Sequence, residues 1–158
     1  MTDVIEFMPF DSAIAKLLIA NDLPVEDLSD AKNVALFVCK RRNQLLGVIG
    51  LEGRGAEILL RSLAVAATGR RQGIGAALVA HAETFAAENG ATAIYLLTTT
   101  ADAFFRRHGY TIVDRSTAPA AIQTTRQFST LCPSSSAFMT KVLPRDHRLT
   151  PENQSDAR

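Results

Sequence analysis

Seven consecutive residues of this chain can hold an anion. Arg70, Arg71, Gln72, Gly73, Ile74, Gly75 and Ala76 follow an apolar run at residues 58–65 and lead into an amphipathic helix expected over residues 76–88. Two glycines so close together mark backbone that turns sharply or comes close to a ligand. The basic residues precede the positive end of a helix dipole. Strand, glycine-rich turn and helix N-terminus together make a cradle whose usual guest is phosphate. The alternative for such a glycine pair alone is a tight strand-to-helix turn that binds nothing.

The elements that position this cradle follow from periodicity. Residues 4–8 read as a strand, and Asp11 can cap a helix carrying Ile14, Leu17 and Leu18 on one face. Asn21, Asp22, Leu23 and Pro24 break that helix, and residues 25–28 make at most one further turn. Residues 34–40 and 45–51 are apolar runs joined by polar Arg41, Arg42, Asn43 and Gln44, the pattern of an antiparallel hairpin. After Gly53, Arg54 and Gly55, residues 57–65 return as a third strand. Beyond the helix, Asn89 and Gly90 stop it and residues 93–98 are a short buried strand. Strand, turn, helix and strand form one βαβ unit, so residues 93–98 should run parallel to residues 57–65. A short helix at 101–107 ends at Gly109, and residues 110–113 are a strand. Pro119 suits the first turn of another helix, expected to about Phe128. Leu131, Cys132, Pro133 and three serines are a loop, and residues 137–143 a last strand. The expected organisation is one α/β domain over residues 1–143, with a mixed, mostly antiparallel sheet, and a polar, mobile tail over 144–158.

Composition narrows the function. The chain has 158 residues, 47% of them hydrophobic, enough for one domain with a sizeable core. Its formal net charge of +1 argues against a bulk electrostatic grip on nucleic acid or membrane. No apolar stretch approaches the roughly 18 residues of a membrane span. Met1, Thr2 and Asp3 open no basic region before a long apolar run, so the expectation is a cytoplasmic protein with Cys39 and Cys132 as free thiols. Three scattered histidines and two distant cysteines have no metal-ligand spacing, so no metal is expected.

Two anion-binding rivals fail on spacing. A dinucleotide fingerprint needs a third glycine where Leu78 stands, and it does not follow an antiparallel meander. A P-loop needs Gly-Lys-Ser/Thr, which is absent. The pattern Arg-x-x-Gly-x-Gly over residues 70–75, after Leu63-Ala64-Val65 and before an amphipathic helix, resembles the acetyl-CoA signature of the GNAT (GCN5-related) N-acetyltransferases. Phe104-Phe105-Arg106-Arg107-His108-Gly109-Tyr110 resembles the second signature of that family, and the order of elements matches from Val4 to Leu143.

The resemblance implies a fold, a co-substrate and a reaction. The N–H groups around Gln72, Gly73, Ile74, Gly75 and Ala76 would bind the CoA pyrophosphate, with Arg70 and Arg71 adding charge-assisted bonds. A bulged strand would splay from its neighbour, and pantetheine would pair with backbone at Leu63, Ala64 and Val65, with Phe104 alongside. The reaction would be direct attack of a neutral amine on the acetyl thioester. Many relatives use a tyrosine as general acid where this chain has Phe105, which cannot donate a proton. Cys132, His108 and Tyr95 are the available donors. Each has a bland alternative: a buried loop thiol, a helix-end cap and a core ring. Glu57 and Glu52 are candidate bases, and a water chain to backbone carbonyls is an equal alternative.

Leu96-Leu97-Thr98-Thr99-Thr100-Ala101, together with the 104–110 segment, is similar to the acetyltransferase domain of N-acetylglutamate synthases. Residues 60–65 and the Ala118-Pro119…Phe128…Leu131-Cys132-Pro133 insertion are closer to the small N-acetyltransferases of arsenic-resistance operons. Both imply a glutamate-like amine acceptor, or an arsenic- or phosphorus-containing analogue. Such an acceptor needs a guanidinium to grip carboxylate. Arg61 and Arg126 are the candidates, with Thr98, Thr100 and Ser134 as neutral partners. Arg61 could instead sit in a structural salt bridge, and Arg126 on a solvated helix face. The alternatives to a small-molecule enzyme are a protein or peptide acetyltransferase and a non-catalytic CoA-binding sensor. Family analogy also raises a homodimer.

Overall fold

A computed structural model describes residues 3–29 and 32–144; the expected tail lies almost wholly outside them. Seven strands form one sheet: β1 (Val4–Phe7), β2 (Val34–Arg41), β3 (Gln44–Glu52), β4 (Glu57–Val65), β5 (Ala93–Thr98), β6 (Thr111–Ile112) and β7 (Ala137–Val142), in the spatial order β1-β2-β3-β4-β5-β7-β6. Only β4 and β5 are parallel; the other neighbours are antiparallel. Among the described residues no helix is long and apolar enough to cross a membrane.

Local chemistry explains the frame. Asp11 accepts the N–H of Ile14 at 2.9 Å and so starts α1 (Ser12–Ala20). Arg42 and Asn43 both take positive φ, 52° and 65°, which closes the β2–β3 hairpin in two residues. The long helix α2 (Ile74–Glu88) packs Leu78, Val79, Ala82 and Ala86 on one face of the sheet, against Phe37, Ile49, Ile58 and Leu60. On the other face α1 places Ile14 and Leu18 against Leu36, Val38, Val48 and Ala64.

Two expectations need correction. The strand expected at 110–113 is only Thr111–Ile112, because Tyr110 turns into the core, 1% exposed, and donates its hydroxyl to Glu83 at 2.9 Å. The single helix expected from Pro119 to Phe128 is broken. The helix α4 (Ala120–Gln123) ends at Thr124, and a π-helical turn follows at Gln127–Leu131. Thr125 binds back to its own turn, its hydroxyl donating to the Ile122 carbonyl at 2.8 Å. Short hydroxyl side chains compete in this way with helix propagation.

Candidate acyl-transfer cleft

The sheet is built to open. β4 pairs with β5 only through Glu57, Ile58 and Leu59. Beyond Leu59 the two strands part, because β5 stays paired with β7 while β4 stays with β3. A bulge accompanies the parting: Val48 faces Ala64 and Gly50 faces Arg61, so Ile49 alone opposes Ser62 and Leu63. Ser62 sits at φ 60°, an unusual conformation for a buried non-glycine residue. The extra residue switches the side on which later side chains fall. Ile58 and Leu60 point to the α2 face, and so do Leu63 and Val65. Leu59 packs with α4, and Ala64 faces α1. An unbulged strand would have put Leu59, Leu63 and Val65 on one side.

A cleft of about 750 Å³ fills the opening. One wall is β4, with Arg61, Ser62, Leu63, Ala64 and Val65. A second wall is the end of β5, with Thr98, Thr99 and Thr100 beside Phe105 of α3 (Asp102–Arg107). The loop after α1 and the 127–136 insertion complete it.

The glycine motif lies at the cleft's β4 end. Gly73 is left-handed at φ 79° and precedes α2 with no side-chain cap. Among the described residues no hydrogen bond takes up the N–H of Gly73, Ile74, Gly75 or Ala76. Four unused donors at a helix N-terminus can receive an anion. A Cβ built on Gly73 meets nothing within 4 Å, and one on Gly75 lies 3.5 Å from the Phe104 ring, an ordinary contact. Packing alone therefore does not demand glycine at 75, but a group seated on the N–H donors would. Arg71 takes φ 65° in the same turn. Arg70 departs from the expected phosphate grip: its Nη2 donates to Asn21 Oδ1 at 3.1 Å and its Nε to the Val65 carbonyl at 3.3 Å. It ties the α1 loop to the end of β4.

Arg61 is brought to the cleft but is already engaged. Its Nη1 and Nη2 donate to the two Asp27 oxygens at 2.6 and 2.7 Å, its Nη1 also to Glu52 Oε1 at 2.9 Å, and its Nε to Ser62 Oγ at 3.1 Å. Four of five guanidinium hydrogens are thus committed inside the protein. The salt-bridge alternative is the geometry found, and Glu52 is part of it. Burial alone would raise the Asp27 carboxyl, but Arg61's hydrogen bonds and charge outweigh it and hold that group below the usual range.

The remaining candidates separate cleanly. Thr98 and Thr100 line the cleft, and Thr98 Oγ1 accepts the Ala101 N–H at 2.9 Å, starting α3. Cys132 lines it too; its Sγ donates to Gln127 Oε1 at 3.1 Å, and burial raises its thiol. Glu57 does not reach the cleft. It sits on the paired part of β4 opposite Ala93, six residues and about 20 Å of strand from Leu63. Arg126 and Ser134 are exposed and do not line the cleft, although Arg126's charge is felt at Asp27. Tyr95 stacks on Phe138 at 5.5 Å, and His108 lies against Phe104 at 4.6 Å.

Sequence reasoning missed Asp27, Ser62, Gln127 and Ser136. Gln127 and Ser136 fell inside an expected helix end and a serine run. Nothing in the order of residues pairs Asp27 with an arginine 34 positions on.

Solved structures share this fold. One is N-acetylglutamate synthase from Neisseria gonorrhoeae complexed with coenzyme A and N-acetyl-glutamate: TM-score 0.72, 17% identity, 90% of this chain and 36% of that one. The present chain thus spans about a third of that protein. An IAA acetyltransferase from Bacillus cereus matches with TM-score 0.68 and 19% identity over 90% of this chain and all of that one. A GNAT family acetyltransferase from Elizabethkingia anophelis with acetyl-CoA bound matches with TM-score 0.64 and 17% identity, over 88% of this chain and 98% of that one. No curated protein sequence matches. The family model described as "Acetyltransferase (GNAT) domain" matches residues 32–112, half of the chain, from the first hairpin through the splayed strands and the glycine turn to β6. The chain belongs to the GNAT acetyltransferase family.

Proposed function

We propose that this enzyme moves the acetyl group of acetyl-CoA to the amine of a small amino-acid-like acceptor by direct attack. The observation that carries this is one geometric conjunction. The edge of β4 that faces β5 loses its partner beyond Leu59, and at the same end four N–H donors, at residues 73–76, have no acceptor. An extended slot leading into an anion cradle fits an extended chain that carries a pyrophosphate.

Acetyl-CoA supplies the acetyl group as a thioester. The N–H groups of Gly73, Ile74, Gly75 and Ala76 would hold its pyrophosphate, with Arg71 beside them. The unpaired edge of Leu63, Ala64 and Val65 would pair with the pantetheine, and Phe104 would pack against it. N–H donors at a strand edge can also polarise a carbonyl.

The cleft's size and walls favour a small acceptor. About 750 Å³ suits a small molecule and an extended cofactor arm rather than a peptide groove, and the insertion closes one side. Asp27 is a poor proton acceptor, since its carboxyl is held low by Arg61. Cys132 stays a neutral thiol near neutral pH, with its S–H given to Gln127, and so is not poised to attack as a thiolate. Glutamate, or an analogue with arsenic or phosphorus in its anionic group, is the acceptor class most compatible with the resemblance. Free-thiol release from acetyl-CoA, screened against amino acids, glutamate analogues and short peptides, tests this: turnover should be confined to the small amines. Turnover of peptides alone would replace this acceptor class.

A further inference from the structure

The 127–136 insertion carries polar groups that the fold itself does not use. Ser136 is 7% exposed and lines the cleft, and its Oγ has no hydrogen-bond partner among the described residues. A buried hydroxyl without a partner destabilises the fold that holds it. Gln127 is 6% exposed and also lines the cleft. Its Oε1 accepts the Cys132 thiol at 3.1 Å, and its Nε2 donates to no group among the described residues.

The loop that carries both is held firmly. The Cys132 N–H donates to the Gln127 carbonyl at 3.0 Å and the Ser136 N–H to the Pro133 carbonyl at 3.0 Å. Arg115 Nη2 donates to the same Pro133 oxygen at 3.0 Å. Ser136 directly precedes β7, whose first residue Ala137 lies opposite Thr98, so it stands at the end of β5 where the cleft opens.

The groups around these donors carry both signs of charge. Arg61 and Arg70 line the cleft together with Asp22 and Glu26, and Asp27 and Glu52 hold Arg61. At Cys132 burial is the largest influence and disfavours negative charge, while the charges of Arg61 and Arg115 work the other way.

We infer that Gln127 Nε2 and Ser136 Oγ form the subsite for the carboxylate of the acceptor, which is therefore an amino acid or close analogue and not a simple amine. This rests on the acetyltransferase reading. The two neutral donors give hydrogen bonds, and the arginines supply attraction without being freed from their own partners. Ser136 Oγ is sealed from solvent as the side chain stands, so a carboxylate there would meet it after rotation about Cα–Cβ, and the acceptor's amine is left to reach toward the parted strands.

The test compares each proteinogenic amino acid with its C-terminal amide as acetyl acceptor, in the wild type and in S136A and Q127E. The wild type should prefer the best amino acid over its amide by at least tenfold in kcat/KM. S136A should raise the amino-acid KM about tenfold and leave the acetyl-CoA KM unchanged. Its melting temperature should be unchanged or higher, since an unpaired buried hydroxyl is removed. Q127E keeps the acceptor oxygen for Cys132 but adds a negative charge, and should erase the preference for acid over amide. A wild type that acetylates amides as well as acids overturns the subsite and leaves the acetyltransferase assignment standing. So do variants whose amino-acid KM does not move, or whose acetyl-CoA KM rises in parallel. A wild type that acetylates no amine while binding acetyl-CoA overturns both.

Discussion

Arg61 and Asp27 form a buried bidentate ion pair, with contacts of 2.6 and 2.7 Å, that fastens the loop after α1 to β4 beside the bulge. The arginine side chain has no exposure and the aspartate 9%. Removing Asp27 strips two hydrogen bonds from the buried guanidinium and leaves Glu52 as its remaining carboxylate partner. Asp27→Ala should therefore destabilise the fold by about 3–5 kcal/mol, read as a fall in denaturant midpoint with unchanged slope. Arg61→Lys should also destabilise the fold, because an ammonium cannot engage both Asp27 oxygens in the fork geometry.

The same pair sets an acid limit. The Asp27 carboxyl is depressed in the folded state, so its contribution is fully present above the unfolded value of about 3.9. It is lost as pH falls through the lower folded value. Stability should drop below about pH 4, and Asp27→Asn, already destabilised at neutral pH, should show a flatter profile there. Thermal melts between pH 2 and pH 6 check this.

Gly73 turns the chain into α2 at φ 79°. Gly73→Val should cost about 1–2 kcal/mol in left-handed strain and abolish acetyl-CoA binding while the protein remains folded. Calorimetric titration and circular dichroism on the same sample separate the two effects. Unchanged affinity would remove the phosphate role from this turn.

Phe105 lines the cleft where a phenol would stand in many relatives, and its ring meets Phe104 and Tyr110 edge-on at 5.1 and 5.4 Å. Phe105→Tyr should raise kcat, by less than about tenfold. A thiol of pKa near 8–9 already leaves tolerably as thiolate, so an added acid has limited scope. A loss of rate with an intact acetyl-CoA KM would show that the hydroxyl disturbs the wall rather than serving it.

Much of the frame could be read in order along the chain, because it depends on local signals: the Asp11 cap, the Arg42–Asn43 turn and the apolar runs. The parallel pairing of β4 with β5 followed from chain connectivity alone. What escaped was long-range. Arg61 reads along the chain either as a substrate grip or as a salt-bridge partner because its partners lie 9 and 34 residues away, and Glu57 looks close to the site because strand number says nothing of where a sheet opens. Arg70 is adjacent to the cradle in sequence, yet it turns to Asn21. The insertion seemed one helix because its apolar spacing hides the back-bonding of Thr125.

The central claim is acetyl transfer to a small carboxylate-bearing amine by direct attack. Its most direct test is free-thiol release from acetyl-CoA across amino acids, their amides and short peptides, with intact-mass measurement of the protein held with acetyl-CoA alone. Thiol release should depend on a free amino acid, and the protein alone should gain no acetyl group, Cys132 included. Tight acetyl-CoA binding with no amine turned over would contradict the account, and so would a protein that acetylates its own Cys132 before any acceptor is added.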